Sequence, residues 1–278
     1  MVVKIVTDST SDISPETGAG LGITVVPVYV RFGDESYRDG VDISHDIFYE
    51  KLLSSHVPPS TSQPTPHDFA GAYSDCAQEA DAIVSIHVSS KISGTYDSAL
   101  QGKKLVEEKC QIEVVDSNVA SVGLGLVAIA AAKIAREGGS LPEVIEETRR
   151  AVEQVQVFGI VNTMRYLILG GRLSKATAVV ASILDIKPVL TFKDGEVVRV
   201  GLAQTYPQAM DKLYKFVKSN LPIQSLAIAY STEPEKGNRL KERLEFYSPE
   251  EKTDITRIGA GLGSHVGPGA LILAIRRG

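Results

Sequence analysis

The chain has 278 residues, 43% hydrophobic and 23% charged, and its 29 basic and 34 acidic side chains leave a formal net charge of −5. That is enough apolar material for one large or two ordinary soluble domains, and the acidic balance excludes a broad nucleic-acid or membrane-surface footprint. The two cysteines, Cys76 and Cys110, stand in no CxxC or metal-like spacing, so they read as reduced, mostly structural thiols.

Val2–Val6 is a continuous apolar run, as a strand buried on both faces requires, and it follows Met1 with no basic region ahead of it, so it reads as a first strand and not a signal peptide. It ends in the polar loop Thr7-Asp8-Ser9-Thr10-Ser11-Asp12. Ser14-Pro15-Glu16 predicts a helix start, with Ser14 as cap and Pro15 at the first helical position. Ile23–Val30 predicts a second strand, and Arg31–Asp42, which holds Gly33 and Gly40, a loop. Ser44 caps a helix over Asp46–Leu53. The proline-rich Pro58–Pro66 segment can be neither a helix nor a central strand, and reads as a rigid loop that fixes Thr61 and Ser62. Thr65, Pro66 and Asp68 open a helix over Asp68–Glu79.

Ala82–Val88 reads as a buried strand that runs into Ser89-Ser90-Lys91-Ile92-Ser93-Gly94-Thr95 and then a helix over Thr95–Lys109. Ile112–Val115 is a further strand, ending in Asp116-Ser117-Asn118. Val119–Glu137 is alanine-rich and apolar nearly all round, which predicts a buried helix, stopped by Gly138-Gly139. Its apolar core, Val119 to Ala132, is shorter than the ~20 residues a membrane span needs, so a cytoplasmic protein without stable membrane insertion is expected. Leu141–Gln154 is amphipathic. Strand–helix alternation over residues 1–150 predicts a mostly parallel, doubly wound sheet.

Beyond residue 150 the rhythm changes. Val155–Val161 reads as a strand, Met164–Leu169 as a short helix, Gly170–Ser174 as a turn and Lys175–Leu184 as a helix. Lys187–Phe192 and Val197–Val200 flank Lys193-Asp194-Gly195-Glu196, a hairpin signal. A helix over Pro207–Ser219, a strand over Ser225–Ser231, a helix over Pro234–Glu245 and strands near Thr253–Ile258 and Leu271–Ile275 complete the pattern. The expected fold class is α/β in two domains, an N-terminal parallel-sheet domain over 1–150 and a C-terminal mixed-sheet domain over 151–278.

The hydroxyl clusters Thr7–Ser11, Thr61-Ser62, Ser89–Thr95 and Ser117 stand at predicted strand ends, which share one edge of a doubly wound sheet. Hydroxyls and free amide N–H groups there suit an anionic head group, although Ser93 or Thr95 can equally serve as a plain N-cap. Arg172, beside Gly170 and Gly171, reads as a bidentate clamp for carboxylate or phosphate, or as a surface arginine capping a helix. His265 lies among the five glycines of Gly259–Gly269, which let backbone approach a ligand closely; the plainer alternative is a turn histidine satisfied by backbone. The Gly259-x-Gly261-x-Gly263 run lacks the strand-then-helix context and the downstream acid of a dinucleotide site, and the chain has no phosphate loop, HExxH or GxSxG elbow. Asp8, Asp12 and Asp116 are conceivable metal ligands but better helix caps. A Ser93/His265/Asp8 triad is conceivable without any readable oxyanion geometry. His87, inside a strand run, reads as a core or sheet-end residue.

The ordered set Thr7-Asp8-Ser9-Thr10-Ser11-Asp12, Thr61-Ser62-Gln63-Pro64, Ser89–Tyr96, Asp116-Ser117, Tyr166-Leu167, Gly170-Gly171-Arg172-Leu173-Ser174, Lys187-Pro188 and His265–Gly269 resembles the DegV family of bacterial lipid-binding proteins. The resemblance implies two α/β domains with one long-chain fatty acid in a tunnel between them. It implies a carrier with no catalysis and no cofactor of its own, which hands the acid to a separate ATP-dependent fatty-acid kinase subunit whose acyl phosphate product feeds phospholipid synthesis. By the family pattern Thr61 and Ser93 hold the carboxylate, Ser62 and Gly94 flank it, and Arg172 and His265 stand nearby. Val119–Ala132 and Ala176–Leu184 are candidate tunnel walls or simply packed core. The alternative reading is a hydrolase or phosphotransferase that uses Ser93 and His265 on an acyl or phosphate substrate.

Overall fold

A computed structural model describes residues 1–106, 110–173, 186–247 and 254–278. The chain opens with β1 (Val3–Asp8), α1 (Pro15–Leu21) and β2 (Ile23–Val26). α1 starts as its sequence dictates: Pro15 takes the first helical position and the Ser14 hydroxyl accepts the Thr17 N–H at 3.1 Å. Pro27 then ends the strand expected to reach Val30. It has no N–H to give a ladder, and the next N–H, of Val28, goes to the Ser9 hydroxyl at 3.1 Å. The chain leaves the parallel sheet here and builds a small antiparallel one from β3 (Tyr29–Phe32) and β4 (Glu35–Arg38). The segment expected to be a loop over 31–42 is therefore largely a hairpin, turned at Gly33, whose φ of 61° suits glycine. After α2 (His45–Ser54), β5 (Ser60–Ser62) joins as the third strand, antiparallel to β3, with Thr61 opposite Val30. The proline-rich segment thus contributes an edge strand, the one strand position prolines leave open.

α3 (Pro66–Cys76) opens on a reciprocal capping box between Thr65 and Asp68. It leads to β6 (Ala82–His87), buried along its length, then α4 (Thr95–Lys104), β7 (Gln111–Asp116), α5 (Val122–Arg136) and α6 (Leu141–Gln154). β1, β2, β6 and β7 form a parallel sheet in the order β2-β1-β6-β7. β8 (Val155–Ile160), α7 (Arg165–Leu169), β9 (Lys187–Lys193), β10 (Glu196–Ala203), α8 (Tyr206–Ser219), β11 (Ile223–Tyr230), α9 (Pro234–Leu244), β12 (Asp254–Arg257), α10 (Ala260–Val266) and β13 (Leu271–Arg277) follow. Six of these strands make a mixed sheet in the order β10-β9-β8-β13-β11-β12, in which β11 and β12 run parallel. The β9–β10 hairpin turns at Asp194 and Gly195, with φ of 52° and 81°, as its sequence predicts. The expected helix at 175–184, Ser174, Lys109 and Thr253 lie outside the described residues.

α5 explains its own composition. It lies between the two sheets and packs on β1 and β6 on one side and on β8, β11 and β13 on the other. From Val122 to Ala132 it is almost wholly buried and carries no polar side chain; Lys133 and the exposed Arg136 come only in its last turn. Gly123 lets it come close, because a Cβ there would stand 2.3 Å from Val157 Cγ2. The outer face of the parallel sheet is covered by α3 and α4 through Phe69, Tyr73 and Ala99. The outer face of the mixed sheet is covered by α8 and α9 through Met210, Leu213, Val217 and Leu240. The architecture is two α/β domains with α5 as a shared middle layer.

Residues 260–266 of the glycine-rich 259–269 stretch form α10, so His265 stands on a helix rather than in a turn. Its glycines serve packing: a Cβ at Gly261 would lie 2.5 Å from Val28 Cγ2, and one at Gly263 2.6 Å from Phe48 Cε1. The helix therefore seats directly on β3 and α2 of the N-terminal half.

Candidate functional site

The loop after β6 turns back on itself. The N–H groups of Ile92 and Ser93 both reach the Ser89 carbonyl at 3.1 Å. Ser93 is not the N-cap of α4; that position belongs to Gly94, without a side-chain cap. The Ser93 hydroxyl instead lies 2.8 Å from Thr95 Oγ1 and accepts the Thr95 N–H at 3.3 Å. Gly94 packs under Gln63, the residue after β5, at a distance where a Cβ would come within 3.1 Å of Gln63 Nε2. Ser62 and Thr61 precede Gln63 on the edge strand, half-buried, and Thr61 Oγ1 meets His265 Nε2 at 2.9 Å.

His265 reaches this point from the last turn of α10. Its Nδ1 is buried with no hydrogen-bond partner among the described residues and lies against Gly170, where a Cβ would stand 2.1 Å away. Burial, aided by the charge of Arg172, pushes its pKa down to about 4, so the ring is neutral at pH 7. Arg172 donates from Nε to the Ile92 carbonyl at 3.2 Å and from Nη1 to the Gly170 carbonyl. It ties the turn after α7 to the Ser89–Thr95 loop. Thr61, Arg172 and His265 thus come from three elements that are distant in sequence, with Ser93 and Gly94 on the loop that Arg172 clamps.

Arg172 and His265 also border an apolar cavity. Among the described residues its floor is the mixed sheet, with Val157, Gly159, Leu190, Phe192, Val197 and Ile272. Gly159 pairs with Leu190 on one side and Ile272 on the other, so it leaves a gap in the middle of that floor. Ile92, Ala120 and Ser121 close it from the N-terminal half. Of the two expected wall segments, the first supplies Ala120 and Ser121 and lies otherwise in the core; the second falls outside the described residues.

Two carboxylates hold α10 in place. Asp12 accepts the Gly259 N–H at 2.8 Å, and Asp39 accepts those of Ala260 at 2.8 Å and Gly261 at 3.1 Å. Ser121, at the cavity wall, donates to the second Asp12 oxygen at 2.6 Å. Burial raises the pKa of both acids, that of Asp12 to about 7. Asp12, a conceivable metal ligand in the sequence, instead anchors a helix, as does Asp39. Their partners lie 247 and 221 residues away, so no local signal marks them.

The conceivable Ser93/His265/Asp8 triad does not form. His265 bonds Thr61, Ser93 bonds Thr95, and Asp8 accepts from Thr10 and Val88 N–H groups and meets His87 Nδ1 at 3.0 Å. Asp116 accepts the N–H groups of Ser90 and Asn118, as a loop cap does. Among the described residues no group of three or more His, Cys, Asp or Glu side chains is placed to hold a metal ion, and no helix is long and apolar enough to cross a membrane.

Comparison with known proteins places this geometry. A DegV domain-containing protein of Deinococcus radiodurans is 34% identical over 99% of this chain and 98% of its own length. A structure showing fatty acid binding of a DegV family protein from Thermus thermophilus is 33% identical, covers all of both chains and superposes with a TM-score of 0.91. That of Bacillus subtilis DegV, a fatty acid binding protein, is 30% identical over the whole of both chains with a TM-score of 0.90. The family model described as "uncharacterised protein, DegV family" matches residues 2–277. With that match running from β1 to β13, the chain belongs to the DegV family.

Proposed function

We propose that this chain binds one long-chain fatty acid between residues 1–150 and 151–278, with its acyl chain in the apolar cavity and its carboxylate at Thr61, Ser62, Ser93, Gly94, Arg172 and His265. The observation that carries the reading is the apolar cavity over the mixed sheet, lined by Val157, Leu190, Phe192 and Ile272, with Arg172 and His265 at its border. A C16 chain buries about 14 methylenes at ~0.8 kcal/mol each, a gross term near 11 kcal/mol before the costs of binding. A carboxylate needs donors once it leaves water, and the hydroxyls and Arg172 supply them. Fatty acid binding by the Thermus and Bacillus relatives supports the same ligand class.

The protein acts as a carrier without catalysis or cofactor of its own, in the cytoplasm. A separate ATP-dependent kinase subunit phosphorylates the bound carboxylate to an acyl phosphate for phospholipid synthesis. Against an esterase or phosphotransferase stands the pairing of His265: its hydroxyl partner is Thr61, and its Nδ1 has no carboxylate to orient it.

The test is titration of delipidated protein with oleate, followed by native mass spectrometry. One acid per chain is expected, and joint replacement Thr61→Ala/Ser93→Ala weakens it about tenfold or more, since two donors to a charged group are lost. Unchanged affinity would remove the head-group assignment. ATP-dependent formation of a hydroxylamine-sensitive lipid phosphate, only when a kinase subunit is added, checks the carrier role.

A further inference from the structure

The function above places His265 at the head group without saying what holds it there. α10 is seven residues long and contains two glycines after its first residue, and a helix this short has no stability of its own. Its first turn exposes N–H groups with no intrahelical partner. The N–H groups of Gly259, Ala260 and Gly261 go to two buried carboxylates, Asp12 and Asp39, at 2.8, 2.8 and 3.1 Å. Asp39 is further fixed by the Ser9 hydroxyl at 3.0 Å. The glycines match their acids, since a Cβ at Gly259 would come within 2.9 Å of Asp39 Oδ2 and one at Gly261 within 3.2 Å.

We infer that Asp39 and Asp12 are positioning residues of the head-group site, which set His265 against Thr61 by pinning the first turn of α10. The inference rests on the fatty-acid reading for its ligand, but its geometry stands alone. His265 lies six residues beyond Gly259, about 9 Å along the axis at ~1.5 Å per residue. A tilt of about 6° at the first turn therefore displaces the ring by about 1 Å, enough to take a 2.9 Å contact with Thr61 out of hydrogen-bond range. Asp12 extends the arrangement to the acyl cavity. Its other oxygen receives the Ser121 hydroxyl at 2.6 Å, and Ser121 lines the cavity in a left-handed backbone conformation, φ 57°, that a non-glycine residue adopts only when its surroundings impose it. Neither acid touches the cavity, so neither contacts the ligand.

The test compares Asp39→Ala, Asp39→Asn and Asp12→Asn with the unaltered chain by three readouts: the imidazole resonances of His265, the affinity for oleate, and the affinity for oleyl alcohol, which has the same chain without a carboxylate. Asp39→Ala is expected to shift the His265 resonances and weaken oleate about tenfold, with oleyl alcohol changed less than about twofold. Asp39→Asn, which keeps one acceptor oxygen, recovers part of the oleate affinity. Unmoved His265 resonances in a folded Asp39→Ala protein overturn the inference, as does equal weakening of acid and alcohol. If Asp39→Ala does not fold, the two asparagine variants are read by the same criteria. If the unaltered chain binds no oleate, the fatty-acid reading fails while the His265 resonances still decide the positioning role.

Discussion

His87 and His265 both place Nε2 against a hydroxyl, at 2.6 Å from Ser85 and 2.9 Å from Thr61. The surroundings make them different objects. His87 is fully buried on β6, its Nδ1 lies 3.0 Å from Asp8, and Ser85 also accepts from the Tyr73 hydroxyl at 2.8 Å. The ring stands edge-on to Phe69 at 4.9 Å. The order Ser85–His87–Asp8 is that of a catalytic triad, but all three side chains have zero exposure, so no substrate reaches it. Every ring nitrogen is satisfied, as core polar groups must be. Among the described residues His265 has one nitrogen without a partner, with an arginine nearby and an apolar cavity alongside. Completeness of the hydrogen-bond set, rather than the identity of the residues in it, separates the histidine locked into the core from the one beside the cavity.

The sharpest way to break this comparison is His87→Ala. It leaves Asp8 and Ser85 short of a partner and opens a cavity beneath Phe69, so urea denaturation should show a loss of about 3–5 kcal/mol. A loss below about 1 kcal/mol would mean the buried set contributes no more than a surface contact. His265→Gln in the same assay should cost little, and show its effect in oleate binding instead. Next in size is Gly159→Leu, which fills the gap in the cavity floor. Exclusion of two or three methylenes at ~0.8 kcal/mol each lowers affinity for C18 acids by about 2 kcal/mol while C10–C12 acids are spared, and calorimetry across chain lengths reads the difference. Gly170→Ala drives a methyl onto His265 Nδ1 and should weaken oleate about tenfold, some 1.4 kcal/mol, without touching the His87 set.

The smallest effects are in pH. His265 is held near pKa 4 against an ordinary 6.5. As pH falls from 6.5 to 4 the unfolded ring takes a proton that the folded ring refuses, so stability is lost in that window. Asp12 behaves oppositely. Its folded pKa of about 7 against an ordinary 3.8 means that, as pH rises from 4 to 7, the unfolded carboxyl ionises before the folded one, and stability is lost on the way up. Between pH 4 and 6.5 the two contributions oppose each other. His265→Gln should leave stability falling with rising pH, and Asp12→Asn should leave it falling with decreasing pH. Parallel profiles for the two variants would contradict the assignment.

Local chemistry was readable in the sequence wherever it acts over a few residues. Ser14-Pro15, Thr65-Pro66-Asp68 and Asp194-Gly195 each announce the cap or turn they form, because donor and acceptor are three residues apart or fewer. The all-round apolar character of α5 correctly signals burial, although not that it is shared by two sheets. What escaped depends on partners far along the chain. Pro27 redirects a strand only because the Ser9 hydroxyl takes the Val28 N–H. The stretch 259–269 reads as a glycine turn unless Asp12 and Asp39 are known to wait at its first turn. For the candidate site, residue types and strand ends indicated an anion and no more; the six head-group positions and the fatty acid came from the ordered motifs. That Thr61 meets His265, and that Ser93 turns toward Thr95, belong to the three-dimensional arrangement alone.

The separation of those partners bears on how the protein is made. Thr61 and His265 are 204 residues apart and Asp12 and Gly259 are 247 apart, nearly the whole of a 278-residue chain. During synthesis the parallel sheet, its covering helices and the Ser89–Thr95 loop are all complete long before α10 leaves the ribosome. A growing chain therefore carries Thr61, Ser93 and the loop amides but not His265, and α10 is the last of these parts to reach Asp12 and Asp39. With the proposed ligand, lipid capture would wait for the final stage of biosynthesis, and an unfinished polypeptide would not sequester a detergent-like molecule while its apolar surfaces are still exposed.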